Sequence, residues 1–165
     1  MPVERRKLLK QKESRNFLKQ LFEAYGPVVE SSGKELKIET SDVNGKELIY
    51  FDGKPSIIRI EGRLYPTLVS NELLRGLPKV VVDMGAIPHI CNGADIMAPG
   101  VRRIEGNFPI GAAVAIIEDR YGKSLAVGET TQGSDELRKM RQGKVVLNRH
   151  YVGDDIWKMI SSDKS

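Results

Sequence analysis

The chain has one cysteine, Cys91, and two histidines, His89 and His150, among 165 residues. A single thiol excludes an internal disulfide and fits a reducing compartment. These three residues are too few for a zinc site unless carboxylates contribute. No apolar run approaches the roughly 20 residues that cross a bilayer. The opening MPVERRKLLKQ lacks the apolar core and small-residue cleavage site of a secretory signal. The expectation is a cytoplasmic protein without a membrane partner. No GxGxxG, and no GxxxxGK followed by Ser or Thr, stands between a strand and a helix, and GNFPIGAA has the wrong glycine spacing for either. There is no repeat of solenoid length.

A catalytic constellation is also missing. His89 and Cys91 stand two apart, so on a helix they point to nearly opposite sides and make a poor base–nucleophile pair. Cys91 reads as a small buried hydrophobe. Asp154-Asp155 and Glu118-Asp119 sit beside Gly or Tyr and read as caps or turn residues. The residues describe a protein that is not an enzyme and needs no cofactor or metal.

What is present is a globular composition, 40% hydrophobic and 29% charged, with a formal net charge of +4. That charge permits a polyanionic partner without demonstrating one. The segment RRKLLKQKESRNFLKQLFEAYGP predicts a basic amphipathic helix. Phe17, Leu18, Leu21, Phe22 and Tyr25 recur at helical spacing, and Gly26-Pro27 ends it. Strands are expected at 35–39, 47–51 and 55–61, the last two forming a hairpin around Asp52-Gly53. A Pro-marked bend at RLYPTL leads to a brief helix after Ser70 or Asn71, closed by Gly76 and Pro78. The expected junction follows: an α+β N-terminal domain over 1–77 and a second domain over 78–160. KVVVD (79–83) reads as a strand buried on both faces. IPHICNG gives one or two helical turns, DIMAPGV another strand, and Ser134 a helix N-cap. About six strands with short helices predict a small closed or nearly closed barrel.

Residues 83–101, DMGAIPHICNGADIMAPGV, carry Gly85, Gly93 and Gly100 in a mostly apolar stretch. Glycines there either close a compact barrel or let a nucleic-acid backbone approach exposed N–H groups. The second use needs cations, and Arg102 and Arg103 follow directly. The last strand adds Lys144, Arg149 and His150, with Asn148 and Tyr151 able to hydrogen-bond to or stack on a base. Strand alternation puts Asn148 and His150 on one face and Arg149 and Tyr151 on the other, and both pairs stand as candidates for a groove.

The stretches VVVDMGAIPHICNGADIMAPGV, FPIGAAVAIIE, SLAVGETT and KVVLNRHYVGDDIW resemble, in order, a PUA domain from about Lys79 to Met159. The resemblance implies a pseudo-barrel of mixed β-strands that binds RNA rather than DNA. Its groove is formed by the first helix, the following loop and strand, and the last strand. On this chain those are Gly85 to Gly93, Ala94 to Val101 and Lys144 to Tyr151, which adds Ala86, Ala94, Met97, Ala98 and Pro99 to the RNA-binding candidates. LIYF, RLYPTL, the His150-Tyr151 pair and DDIWKM are similar to the malignant-T-cell-amplified-sequence proteins, translation factors related to a ligatin-like initiation factor. That resemblance implies binding to the small ribosomal subunit and to tRNA near its acceptor end, in initiation, reinitiation or recycling. It also implies a partner protein with an initiation-factor-like domain. The rival expectations are an accessory protein that presents tRNA to a modification enzyme, and an adaptor that binds protein alone.

Overall fold

The computed structural model describes residues 5–27 and 36–162, and the backbone divides into two units, Met1–Ser70 and Asn71–Ser165. The division falls short of the junction expected at 77/78, so the short helix 71–76 goes with the second unit.

In the first unit, two-residue turns dictate the architecture. Asn44-Gly45, Asp52-Gly53 and Glu61-Gly62 all have positive φ at both residues, the conformation whose twist matches antiparallel strands. They join β2 (Ile38–Val43), β3 (Lys46–Phe51), β4 (Lys54–Ile60) and β5 (Arg63–Pro66) into a meander. Arg63–Pro66, read from sequence as a bend, is therefore an edge strand, where a proline at the end costs no ladder bond. A two-residue strand, β1 (Lys7–Leu8), adds to the other edge by pairing with Glu39 and Thr40. The predicted helix consequently begins at Gln11 and runs to Tyr25 as α1, because the residues before it are held in strand pairing. Gly26 ends it, its N–H donating to the Phe22 carbonyl at 2.7 Å. Phe17 and Leu21 are buried, the Phe17 ring lying 5.8 Å from Phe51. Phe22, counted on the apolar face from its spacing, is instead 60% exposed. The strand expected at 35–39 starts at Ile38, and Glu35 lies outside the described residues.

The second unit starts with α2 (Asn71–Gly76) and continues as a six-stranded mixed sheet with inserted turns. β6 (Lys79–Val82) is flanked by β8 (Val101–Glu105), antiparallel, and β9 (Ala113–Glu118), parallel. β10 (Ser124–Thr130) pairs with β9 and with β11 (Lys144–Tyr151), which in turn pairs with β7 (Ile96–Met97). The order β7-β11-β10-β9-β6-β8 leaves β7 and β8 as the two edges. Only a 3-10 turn, Ala98–Gly100, separates them in sequence. The chain thus carries one edge of the sheet to the other in three residues, which curls the sheet into the expected pseudo-barrel. Pro99 in that turn stops β7 at Met97, so DIMAPGV is a two-residue strand and a turn rather than one strand.

Val80, Val81 and Val82 are fully buried, as their continuous apolar run predicts for a strand between two neighbours. They join Ile90, Ile96, Val114, Ile116, Ala126, Val145 and Val146 in or beside one core. α3 (Ile87–Ile90) fills one end, and α4 (Ser134–Lys139) and α5 (Asp155–Ser162) complete the unit. Ser134 is the first residue of α4, not its cap; its hydroxyl accepts from the Phe108 N–H at 3.0 Å, and Gly133 occupies the cap position. Gly128 in β10 faces a bulge in β11, where Arg149 is the extra residue between Asn148 and His150 in the register. A Cβ at Gly128 would come within 2.4 Å of both the Leu147 carbonyl oxygen and Val146 Cγ1.

Gly128→Ala must push β11 off its register, so it should destabilise the protein by about 2 kcal/mol or more. Urea unfolding followed by Trp157 fluorescence measures this; a loss below about 0.5 kcal/mol would mean that the strand shifts at little cost.

Candidate RNA interface

The interface is built where β6 leaves the sheet. Asp83 ends the strand, and its carboxylate accepts from the Ala86 N–H at 3.0 Å, capping a 3-10 turn over Met84–Ala86. The Asp83 N–H donates to the Gly100 carbonyl at 3.0 Å, and the Ala98 N–H to the Gly143 carbonyl at 2.9 Å. These bonds hold three backbone segments around a cleft of about 490 Å³. Gly85, Ala86, Ala94, Met97, Pro99 and Gly100 line it with Val82, Asp83, His89, Ile90, Asp95 and Ile96. The walls are mostly apolar, and the exposed side chains of Met84 and Met97 stand on the same turn and strand. The size suits a small organic group such as a base with part of its sugar.

The glycines divide by role. Gly93 has φ +93°, and a Cβ there would lie 3.0 Å from the Tyr151 hydroxyl, so it serves the packing of Tyr151 and is not in the cleft wall. At Gly85 a Cβ would meet the Asp83 capping oxygen at 3.2 Å; at Gly100 it would make only an ordinary contact with Ala86.

Three cations on the strands that leave or adjoin the cleft, Arg102, Arg103 and Lys144, each lie beside a carboxylate. In β8 the register against β6 slips between Val81 and Val82, so Arg102 is a bulge residue. The bulge brings two successive arginines to one acid: Arg103 Nη1 is 3.1 Å and Arg102 Nε 3.9 Å from the Asp119 carboxylate. Arg103 also approaches Glu105 at 3.4 Å. These pairs are exposed and worth at most about 1 kcal/mol each, so a phosphate can displace them. Lys144 Nζ lies 3.1 Å from Asp95. Burial raises the Asp95 carboxyl, but the Asn148 N–H, the Lys144 ammonium and the Arg149 charge outweigh it and hold it below the usual aspartate range. Asp95 is ionised at neutral pH and cancels much of the Lys144 charge at the cleft.

The last strand differs most from expectation. His150 is 0% exposed and cannot touch RNA, whatever its face. Its Nδ1–H donates to Asp154 at 2.8 Å. Asp154 also accepts from the Tyr151 N–H at 3.0 Å and the Trp157 N–H at 2.7 Å, and so caps α5. Asn148 spends its amide on the carbonyls of Ile90 and Ala94, at 3.2 and 3.0 Å, tying β11 to the α3 loop. Arg149 pairs with Glu129 at 2.9 Å. The β11 bulge breaks the simple alternation of faces, and none of Asn148, Arg149, His150 and Tyr151 lies in the cleft wall.

Comparison with known proteins fits both units. Residues 78–152 match the PUA domain family, and residues 5–70 match a domain of unknown function (DUF1947). An uncharacterized protein of Methanocaldococcus jannaschii is 32% identical over 160 residues, covering 95% of this chain and 98% of that one. Malignant T-cell-amplified sequence 1-B of Xenopus laevis is 35% identical over 126 residues, 74% of this chain and 66% of that protein's length. The chain belongs to this family of PUA-domain proteins. Translation machinery-associated protein 20 of Saccharomyces cerevisiae is similar too, 29% identical over 75% of this chain and 73% of its own. Among solved structures, a PUA domain from Aeropyrum pernix K1, in a tartrate complex, aligns with a TM-score of 0.82 at 29% identity, covering 96% of this chain and 91% of that one. The second unit is therefore a PUA domain.

Within the PUA unit, six expected residues meet in the cleft: Gly85, Ala86, Ala94, Met97, Pro99 and Gly100. Arg102, Arg103 and Lys144 are exposed on strands that leave or adjoin it. Ala98 is buried and Gly93 packs under Tyr151. Asp83 lies outside the groove segments expected from sequence, and His89 and Asp95 fall within them without having been named as contact residues; the signal for Asp83 and Asp95 was their place just outside an apolar strand or turn, where a carboxylate caps backbone N–H groups.

Burial raises the Asp154 carboxyl, and the hydrogen bond and charge of His150, with the Trp157 and Tyr151 N–H groups, more than reverse it. Its folded pKa therefore lies below the unfolded value of about 3.9, so the ionised group stabilises the protein at neutral pH, and that contribution is lost as pH falls from about 4 through the folded value. Asp154→Asn should cost about 2 kcal/mol at pH 7, and the gap to the parent should narrow below pH 4. Urea unfolding at the two pH values checks this; a gap independent of pH would contradict it.

Proposed function

We propose that this protein is a non-enzymatic, cytoplasmic RNA-binding protein of the translation apparatus that takes the single-stranded acceptor end of tRNA in its PUA cleft. On the small ribosomal subunit it would act in initiation, reinitiation or recycling, with a partner that carries an initiation-factor-like domain. One observation carries the reading: an apolar cleft with two carboxylates, Asp83 and Asp95, in its wall, and with cations outside it. Carboxylates repel phosphate but accept from the amino groups of bases. The arrangement thus suits a base inside the cleft and its phosphates on Arg102, Arg103 and Lys144, which a single-stranded end can supply and a continuous duplex cannot. Gly85, Ala86 and Gly100 keep the floor low enough for a nucleotide to lie against the backbone. The relatives named for translation machinery support the ribosomal setting.

Binding of intact tRNA, measured across a salt series, should fall steeply with salt and drop further when the single-stranded 3′ end is trimmed away. Equal binding of intact and trimmed tRNA would place recognition elsewhere on the RNA, and no binding at low salt would overturn the reading. Replacing Arg102 and Arg103 together with Ala should weaken binding about tenfold and lower the slope of log affinity against log salt by roughly two, with unfolding stability unchanged within about 1 kcal/mol.

A further inference from the structure

We infer that the tip of the β9–β10 hairpin, Asp119–Lys123, is a second RNA contact, with the Tyr121 ring as a stacking platform for an unpaired base. The inference rests on the RNA-binding reading above and extends it beyond the cleft.

The tip is rigid for reasons unrelated to the tyrosine side chain. Glu118 is buried at 3% exposure, and one of its carboxylate oxygens accepts from the Tyr121 N–H at 2.6 Å and the Lys123 N–H at 3.0 Å. The Glu118 N–H donates to the Lys123 carbonyl, the Gly122 N–H to the Glu118 carbonyl, and the Asp119 N–H to the Val82 carbonyl, at 3.0, 3.1 and 2.9 Å. Burial raises the Glu118 carboxyl, but these surrounding backbone N–H groups hold it below the usual range, so the tip is braced by an ionised acid.

On this fixed turn Tyr121 is 68% exposed, more than any other large hydrophobic side chain among the described residues. Arg120 and Lys123 lie over its ring, at 5.7 and 6.0 Å from the centroid. Those distances are at the outer limit of a cation–π contact, so the cations are weakly held and free to turn to a phosphate. The tip also adjoins the arginine pair, since Asp119 is the acid shared by Arg102 and Arg103. Two cations thus lie over one exposed aromatic ring, and the arginine pair stands beside the same tip at Asp119, with Asp119 and Glu105 as its exposed acids. A nucleotide matches both halves of this surface, its base on the ring and its phosphates on the cations. An acidic peptide would use the charges and leave the ring in water.

The test compares tRNA binding by the full chain and by the variants Tyr121→Leu, Tyr121→Phe and a double Arg120→Ala/Lys123→Ala. Loss of one stacked base weakens binding on the order of tenfold. Tyr121→Leu should show that loss with the salt dependence unchanged, because no charge is removed. Tyr121→Phe should bind as the parent does, because a ring face suffices. The double variant should lower the salt slope by roughly two. If the parent binds tRNA and Tyr121→Leu binds equally well, the hairpin contact is wrong and the cleft reading stands. Equal losses in Tyr121→Leu and Tyr121→Phe would overturn stacking in favour of the hydroxyl. A parent that binds no tRNA overturns the cleft reading and this one together. Because Glu118 and the backbone fix the turn, all the variants should unfold at the parent's urea midpoint, which separates loss of contact from loss of fold.

Discussion

The second unit depends on a constraint of closure. β7 and β8 are opposite edges of one sheet, and Ala98–Gly100 must link them in a single turn. That demands a curled sheet, and the curl is maintained by bulges at Arg102 and Arg149 and by the missing side chain at Gly128. Where the edges meet, backbone groups that a flat sheet would leave open are bonded to neighbouring loops: Asp83 to Gly100 and Ala98 to Gly143. The cleft is a consequence of that seam. It lies where the sheet cannot pair with itself, with helical turns at Met84–Ile90 covering one side.

Buried or half-buried carboxylates then lock the pieces. Asp83 caps the turn after β6, Asp95 receives the Asn148 N–H and Lys144, Glu118 braces the hairpin tip, and Asp154 joins β11 to α5 through His150. In Asp95, Glu118 and Asp154 the hydrogen bonds overcome the burial penalty and keep the acid ionised. This scaffolding shapes the electrostatics of the surface. Acids that brace the fold also temper the neighbouring cations, so the PUA unit presents loosely paired arginines and lysines rather than a uniform basic field. Affinity built on such pairs comes from exchanging one exposed partner for another, which makes salt a sensitive probe.

Much of this was legible in the chain. Val80–Val82 read as a doubly buried strand because nothing polar interrupts them, and Asp52-Gly53 announced its hairpin through its turn chemistry. The glycine-rich segment 83–101 was singled out because it turns often while staying apolar, and six of its residues do line the cleft. The misses share a cause. Strand alternation offered two faces for Asn148 to Tyr151, but a bulge spoils the period, and bulges leave no signal until the opposing Gly128 is known. His150 seemed a nucleic-acid ligand by residue type, while its partner Asp154 lies a turn away in a cap that only the fold reveals. Lys7 and Leu8 continue the helical pattern of α1, yet pairing with Glu39 and Thr40 overrides local propensity. The exposure of Tyr121 became visible only in three dimensions.

The central claim is that RNA meets this protein at the seam of its PUA sheet. The most direct measurement is amide chemical-shift mapping of the full chain as a short single-stranded RNA with the sequence of a tRNA 3′ end is added. The amides expected to move are Gly85, Ala86, Ala94 to Ala98, Gly100, Arg102 and Arg103, while the buried centre of β10 around Ala126 stays still. Perturbations confined to β2–β5 of the first unit, or to the α5 end of the second, would contradict it.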